Sequence, residues 1–112
     1  MKISNDDARR RSVSTTPFLK WCGGKAGLLT QLYPLMPPDV RERRHVELFV
    51  GGGALFFARE DVHGAFIADA NPRLIATYHA VRDHVEDVIG ALETLDRAHR
   101  VDPQGAYYLA RT

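Results

Sequence analysis

His45-Val46-Glu47-Leu48-Phe49-Val50-Gly51-Gly52-Gly53 is the stretch that decides the fold. A short apolar-rich run that ends in consecutive glycines reads as a buried strand, His45 to Val50, entering a tight turn. Ala54 to Arg59 reads as the start of the helix that follows the turn. Further along, Ala65-Phe66-Ile67-Ala68 is a second short apolar run, and it closes at Asp69. Two strands joined through a helix need a crossover, which sets them parallel. The predicted fold class is therefore α/β, a parallel sheet flanked by helices.

The flanking sequence supplies the helices. Upstream, Leu28, Leu29, Leu32 and Leu35 recur at helical spacing until Pro34 and the Pro37-Pro38 pair interrupt them, so a first helix is predicted over 25–35. Downstream, Asn71 and Pro72 suit an N-cap and first helical position, and Leu74, Ile75, Tyr78 and Val81 form one stripe of a helix over 72–82. Asp83 and Glu86 have the spacing of a capping box for a further helix over 84–99, with Val85, Val88, Ile89, Leu92 and Leu95 on its apolar face. Val101 to Gly105 reads as a turn, and Ala106 to Thr112 as the opening of another helix. Both stripes are expected to cover the strands. Residues 1–16 are polar and aperiodic and read as a flexible leader; residues 17–112 read as one domain unit.

Composition narrows the function classes without selecting one. Of the 112 residues, 15 are Lys or Arg and 14 Asp or Glu, a formal net charge of +1, so the chain lacks the global basicity common in nucleic-acid-binding domains. The arginines at 9, 10 and 11 and at 41, 43 and 44 read as solvated surface. Cys22 is the one cysteine, which excludes an internal disulfide, leaves no zinc ligand set and suits a reducing cytoplasm. No apolar run reaches the length needed to cross a membrane.

Three features carry chemistry. Glycines 51, 52 and 53, where strand turns into helix, let the backbone pass close to a ligand, although glycine turns without ligands are common. The spacing fits neither phosphate-binding motif: Phe56 stands where the dinucleotide fingerprint needs a third glycine, and Gly24-Lys25 lacks the upstream glycine and downstream hydroxyl of a P-loop. Asp69 ends the second strand about 20 residues after the first, where an acid accepts hydrogen bonds from both ribose hydroxyls. Beside Asn71-Pro72 it is equally an Asx-turn or capping residue. Lys25 sits at the positive end of a predicted helix, a broken local rule that suits an anion-holding ammonium such as one for an amino-acid carboxylate, and equally a solvated surface lysine. Trp21 reads either as a ligand-pocket wall or as core.

Pro17-Phe18-Leu19-Lys20-Trp21-Cys22-Gly23-Gly24-Lys25 resembles the N-terminal motif of Dam-type DNA adenine-N6 methyltransferases, P-F-L-K-W-A-G-G-K, departing only at Cys22. Glu47 to Phe57 resembles the family's E-P-F-V-G-G-G-A-V-F, with Leu48 where proline is usual. Ala68 to Tyr78 resembles its A-D-I-N-P-x-L-I-x-x-Y, and Tyr107-Tyr108 with Arg111 its Y-Y-x-x-R. The resemblance spans positions 17–112. It implies a doubly wound, Rossmann-like methyltransferase sheet, of which this is the N-terminal part, with S-adenosylmethionine as cofactor and DNA as substrate. It implies cofactor contact at Trp21, Lys25, Glu47, Phe49, Gly51, Gly52, Gly53 and Asp69. The family's catalytic D-P-P-Y does not occur in these residues; Asp102-Pro103 continues as Gln104-Gly105, without the aromatic surface on which a flipped base stacks. No catalytic residue is therefore assigned, and the 112 residues alone are expected to be inactive. The alternative is a non-catalytic cofactor-binding or partner-binding module completed by a second polypeptide. Association with a second chain, or with itself, is expected through an open sheet edge.

Overall fold

A computed structural model describes Met1, residues 16–59 and residues 64–112. The leader apart from Met1 and Thr16 lies outside the described residues, and so do the arginines at 9, 10 and 11. The described residues divide into two compact units, Met1–Ile75 and Ala76–Thr112, with the boundary inside one helix.

In the first unit, β1 (Val46–Glu47) and β2 (Phe66–Ile67) pair in parallel, Val46 opposite Phe66 and Glu47 opposite Ile67. The ladder runs from the Phe66 amide to the His45 carbonyl at 2.9 Å and from the Ala68 amide to the Glu47 carbonyl at 2.8 Å; the Val50 amide extends it to the Ala68 carbonyl at 2.9 Å. The parallel order predicted from the strand-helix-strand pattern holds, but both strands are shorter than their apolar runs. On the outer side of β2, Ile67 exchanges both backbone hydrogen bonds with Met1, at 2.9 and 3.1 Å. At this residue the edge is paired, where an open edge was expected.

The faces of the sheet carry a second correction. A strand alternates its side chains with period two, and here the alternation sends His45, Glu47, Ala65 and Ile67 inward, with Val50 buried beyond the end of β1. Val46, Leu48, Phe49 and Phe66 are left on the surface, Val46 at 55% and Phe49 at 71% exposure. The buried side of β1 is thus its polar side, and the apolar residues that identify it as a strand face out.

The helices follow the predicted order with shifted bounds. The helix expected over 25–35 is a chain of single turns, 3₁₀ at Lys25–Leu28, α1 at Leu29–Leu32 and 3₁₀ again at Tyr33–Leu35. Pro34 lacks an amide for a continuous α ladder, and so short a run contributes little propagation beyond its nucleus. A further 3₁₀ turn covers Val40–Glu42. Helix α2 (Ala54–Ala58) starts from Gly53, whose φ of +79° is a left-handed conformation that glycine adopts without steric cost. Helix α3 (Pro72–Asp83) begins as expected, with the Asn71 side chain accepting the Arg73 amide at 3.0 Å; Leu74 and Tyr78 of its stripe are buried.

In the second unit, α4 (Val85–Val101) and α5 (Pro103–Arg111) contact one another. The expected capping box is not formed: His84 is the N-cap of α4 with no side-chain cap bond, and Asp83 pairs with Arg82 at 2.6 Å. A bidentate guanidinium contact to the neighbouring residue holds this carboxylate more strongly than an exposed backbone amide would. Helix α5 starts earlier than predicted, because Asp102 caps it through the Gly105 amide at 3.0 Å and Pro103 takes the first helical position. Val85, Ile89, Leu92 and Leu95 of the apolar face of α4 are exposed. Among the described residues, no helix is long and apolar enough to cross a membrane.

Candidate functional site

All eight residues expected to contact a cofactor lie in the first unit, and most of them meet at the turn that follows β1. The turn is closed by the Gly53 amide donating to the Val50 carbonyl at 2.8 Å, with Gly51 at φ +52° and Gly53 at +79°. Gly52 is closely packed. A Cβ there would lie 3.1 Å from the Leu19 carbonyl oxygen and 3.2 Å from Trp21 Cβ, and one on Gly51 would meet Trp21 Cδ1 at 3.3 Å. Neither the carbonyl nor a Cβ swings aside as a flexible side-chain tip does. Gly52→Ala is accordingly expected to lower the unfolding free energy by about 1–3 kcal/mol, the usual cost of overpacking, measured as a shift in denaturant midpoint; an unchanged midpoint would show that the Leu19–Trp21 segment yields freely.

Asp69 is tied to the same turn. Its Oδ2 accepts the Gly51 amide at 3.0 Å and its Oδ1 accepts the Asn71 amide at 3.0 Å. The two readings of this residue coincide: it forms the local turn before α3 and reaches the glycines as well. The Asn71 and Gly51 amides, followed by the positive charge of Lys25, hold its carboxyl below the usual carboxylate range against a partial burial that acts the other way. An ionised carboxylate has about four acceptor positions, so each oxygen retains capacity for a hydroxyl donor.

Lys25 reaches the turn from the 3₁₀ start of the N-terminal segment. Its Nζ donates to Glu47 Oε1 at 3.2 Å and to the Phe49 carbonyl. The ammonium is therefore paired rather than solvated, which accounts for a cation at a helical start. Of its three donors, these contacts use two. Glu47 is buried at 7% exposure, and its other oxygen, Oε2, lies 3.1 Å from His45 Nε2. His45, at 6% exposure, has its Nδ1 3.2 Å from an Arg59 guanidinium nitrogen, and Arg59 also donates to the Val40 carbonyl at 3.1 Å. His45 and Arg59 were not among the expected site residues. The signal that points to His45 is its position two residues before Glu47, on the same face of the strand.

A cavity of about 430 Å³ opens beside the turn, lined chiefly by Leu19, Lys20, Trp21, Gly24, Gly52 and Ala54. That volume is within the range of small-molecule sites. Trp21 is 41% exposed, a wall of this cavity rather than part of the core. Trp21 and Gly52 are the expected site residues that line it, and Lys20 lines it too. Lys25, Glu47, Phe49, Gly51, Gly53 and Asp69 lie outside its lining. Gly51 joins the two sets, with the Trp21 ring where a Cβ on Gly51 would stand and its amide on Asp69. Phe49 takes part through its carbonyl, since its side chain faces outward. Among the described residues, no three His, Cys, Asp or Glu side chains gather as metal ligands.

Comparison with known proteins gives this geometry a context. The type II methyltransferase M.MjaIII of Methanocaldococcus jannaschii is 35% identical over 89 residues, 74% of this chain and 31% of that protein. The type II methyltransferase M1.LlaDCHI of Lactococcus lactis subsp. cremoris is 36% identical over 101 residues, 90% of this chain and 33% of its own length. The DNA adenine methylase of Haemophilus influenzae is 32% identical over 95 residues, 85% of the chain and 32% of the relative. The chain thus spans about a third of the length of these relatives. No solved structure matches it at a significant level. The sequence profile of one family matches residues 21–112, a range that contains Trp21, the glycine turn, Asp69 and the helices after it. By that match the chain belongs to the D12 class N6 adenine-specific DNA methyltransferases.

Proposed function

We propose that these residues hold S-adenosylmethionine against the Phe49–Gly53 turn, as the cofactor part of an enzyme that methylates adenine N6 in DNA. The observation that carries the reading is the convergence of two opposite charges on one glycine turn, Lys25 through the Phe49 carbonyl and Asp69 through the Gly51 amide. The groups suit the cofactor's two ends. Asp69, kept ionised, accepts from the ribose hydroxyls; Lys25 directs its remaining donor to the amino-acid carboxylate; Trp21 and Gly52 wall the adjoining cavity. When bound, the cofactor supplies an electrophilic methyl group on a sulfonium. Within this reading the parallel pair is the start of a doubly wound, Rossmann-like sheet, residues 17–112 are the N-terminal part of the methyltransferase domain, and the protein works in the cytoplasm.

The relatives named DNA adenine methylase or type II methyltransferase support DNA as the substrate and a restriction-modification or related setting. Holding the target adenine requires groups beyond those at this turn, and the uncovered surface of Val46, Leu48, Phe49 and Phe66 supports action together with further polypeptide, covalent or separate.

Isothermal titration with S-adenosylmethionine and S-adenosylhomocysteine tests the reading. Binding by the wild type is expected, together with a loss of about 1.5–3 kcal/mol in Lys25→Ala, the cost of removing a charged hydrogen bond, and a smaller loss in Lys20→Ala. Equal losses in the two variants would undo the distinction between the two lysines, and no binding by a folded wild type would refute the cofactor assignment.

A further inference from the structure

Glu47 is a buried carboxylate whose two oxygens are both committed, Oε1 to Lys25 at 3.2 Å and Oε2 to His45 Nε2 at 3.1 Å. A carboxylate held at both oxygens cannot rotate about its terminal bond, so the direction in which it holds the Lys25 ammonium depends on where His45 stands. His45 is held in turn. An arginine guanidinium only donates hydrogen bonds, so the Arg59 contact at 3.2 Å makes His45 Nδ1 an acceptor. In the neutral ring the proton must then sit on Nε2, the atom that faces Glu47. Arg59 is itself anchored on the Val40 carbonyl at 3.1 Å and directly follows α2, the helix that the glycine turn starts. The Phe56 ring of α2 lies beside His45, with ring centroids 6.0 Å apart. A continuous chain of donors and acceptors therefore runs from Val40 through Arg59, His45 and Glu47 to Lys25 and the Phe49 carbonyl.

We infer that His45 and Arg59 are positioning residues for cofactor binding: together they fix the His45 tautomer, which orients Glu47, which aims Lys25 at the glycine turn. The inference rests on the reading of Lys25 as the group that holds the cofactor's carboxylate. Neither residue touches the cofactor; both act through Glu47. A conserved-volume core without this relay would keep the strand but leave the ammonium free among its rotamers, and preorganisation of this kind sets affinity by reducing what must be ordered on binding.

Two substitutions separate the two hydrogen bonds of the ring. In His45→Gln the side-chain amide nitrogen takes the place of Nε2 and still donates to Glu47, whereas in His45→Asn the side-chain oxygen takes the place of Nδ1, still accepts from Arg59 and leaves Glu47 unsupported. Affinity for S-adenosylhomocysteine is measured on the full chain, alongside denaturant midpoints and the long-range nitrogen spectrum of the wild-type imidazole. The expected result is a protonated Nε2 with an unprotonated Nδ1, near-wild-type affinity in His45→Gln, and a loss of about tenfold in His45→Asn, the equivalent of one charge-assisted hydrogen bond. Wild-type binding that is unchanged in both variants, or reduced equally in both, overturns the relay and leaves the cofactor reading standing. A wild type that shows the Nε2 tautomer yet binds nothing overturns the cofactor reading, and the positioning role with it. Should His45→Asn fail to fold, the wild-type spectrum still decides, because a proton on Nδ1 contradicts the chain of donors at its second link.

Discussion

Asp69→Ala is expected to abolish measurable cofactor binding at micromolar concentrations and to destabilise the first unit as well. The carboxylate accepts the amides of Gly51 and Asn71, and its removal leaves both without that acceptor, at about 1–3 kcal/mol each where water does not replace it. The proposed ribose contacts are lost in addition. Asp69→Asn separates the two effects, since an amide oxygen still serves one backbone donor and presents an NH₂ where the other oxygen stood. Titration calorimetry and chemical denaturation on both variants check this; an Asp69→Ala protein that binds as the wild type does would remove Asp69 from the site. The sign of the pH dependence follows from the same geometry. The folded-state pKa lies below the unfolded one, so the contribution is fully present above the ordinary aspartate range and is lost as pH falls through the lowered folded value. Stability should therefore decline on acidification below about pH 4, and less so in Asp69→Asn.

The second large effect concerns the sheet surface. Val46 and Phe66 are direct neighbours in register and both are exposed, flanked by Leu48 and Phe49. The purified 112-residue polypeptide is expected to associate through this surface, so that its apparent mass in size-exclusion chromatography rises with concentration. Replacing Val46 and Phe66 together by threonine keeps strand-compatible β-branched residues and removes large apolar groups that burial would stabilise by about 1.5–3 kcal/mol each. The midpoint of association should move to at least about tenfold higher concentration. A wild type that elutes as a sharp monomer at all concentrations, or a double variant that associates as readily as the wild type, would show that this face is not the adhesive one.

What the sequence revealed and what it hid follow from how local each interaction is. The glycine turn, the Asn71 cap and the parallel order could be read because they rest on residue types with special backbone behaviour or on short-range spacing. Lys25 stood out because it broke a local rule, and the structure resolves the conflict with Glu47, a partner far away in sequence. The role of Arg59 was invisible for the same reason, since an ordinary arginine acquires its meaning only when His45 and the end of α2 come together, whereas His45 was legible only as a neighbour of Glu47 on one face of the strand. Apolar content identifies β1 as a strand without saying which side is buried, and here two charge-capable residues, His45 and Glu47, take the inside. Asp102-Pro103 shows a local signal that was present and passed over, since the dipeptide that suggested a turn is a cap and first residue of α5.

Trp21 is the chain's one tryptophan, and it stands over Gly51 and Gly52 as a half-exposed wall of the cavity. The intrinsic emission of the protein therefore comes from a single indole at the place where a ligand would enter. Excluding water from that ring shifts its emission toward the blue, and unfolding shifts it toward the red. The molecule carries a built-in optical reporter of its own occupancy, readable without a label and at concentrations low enough to keep association small.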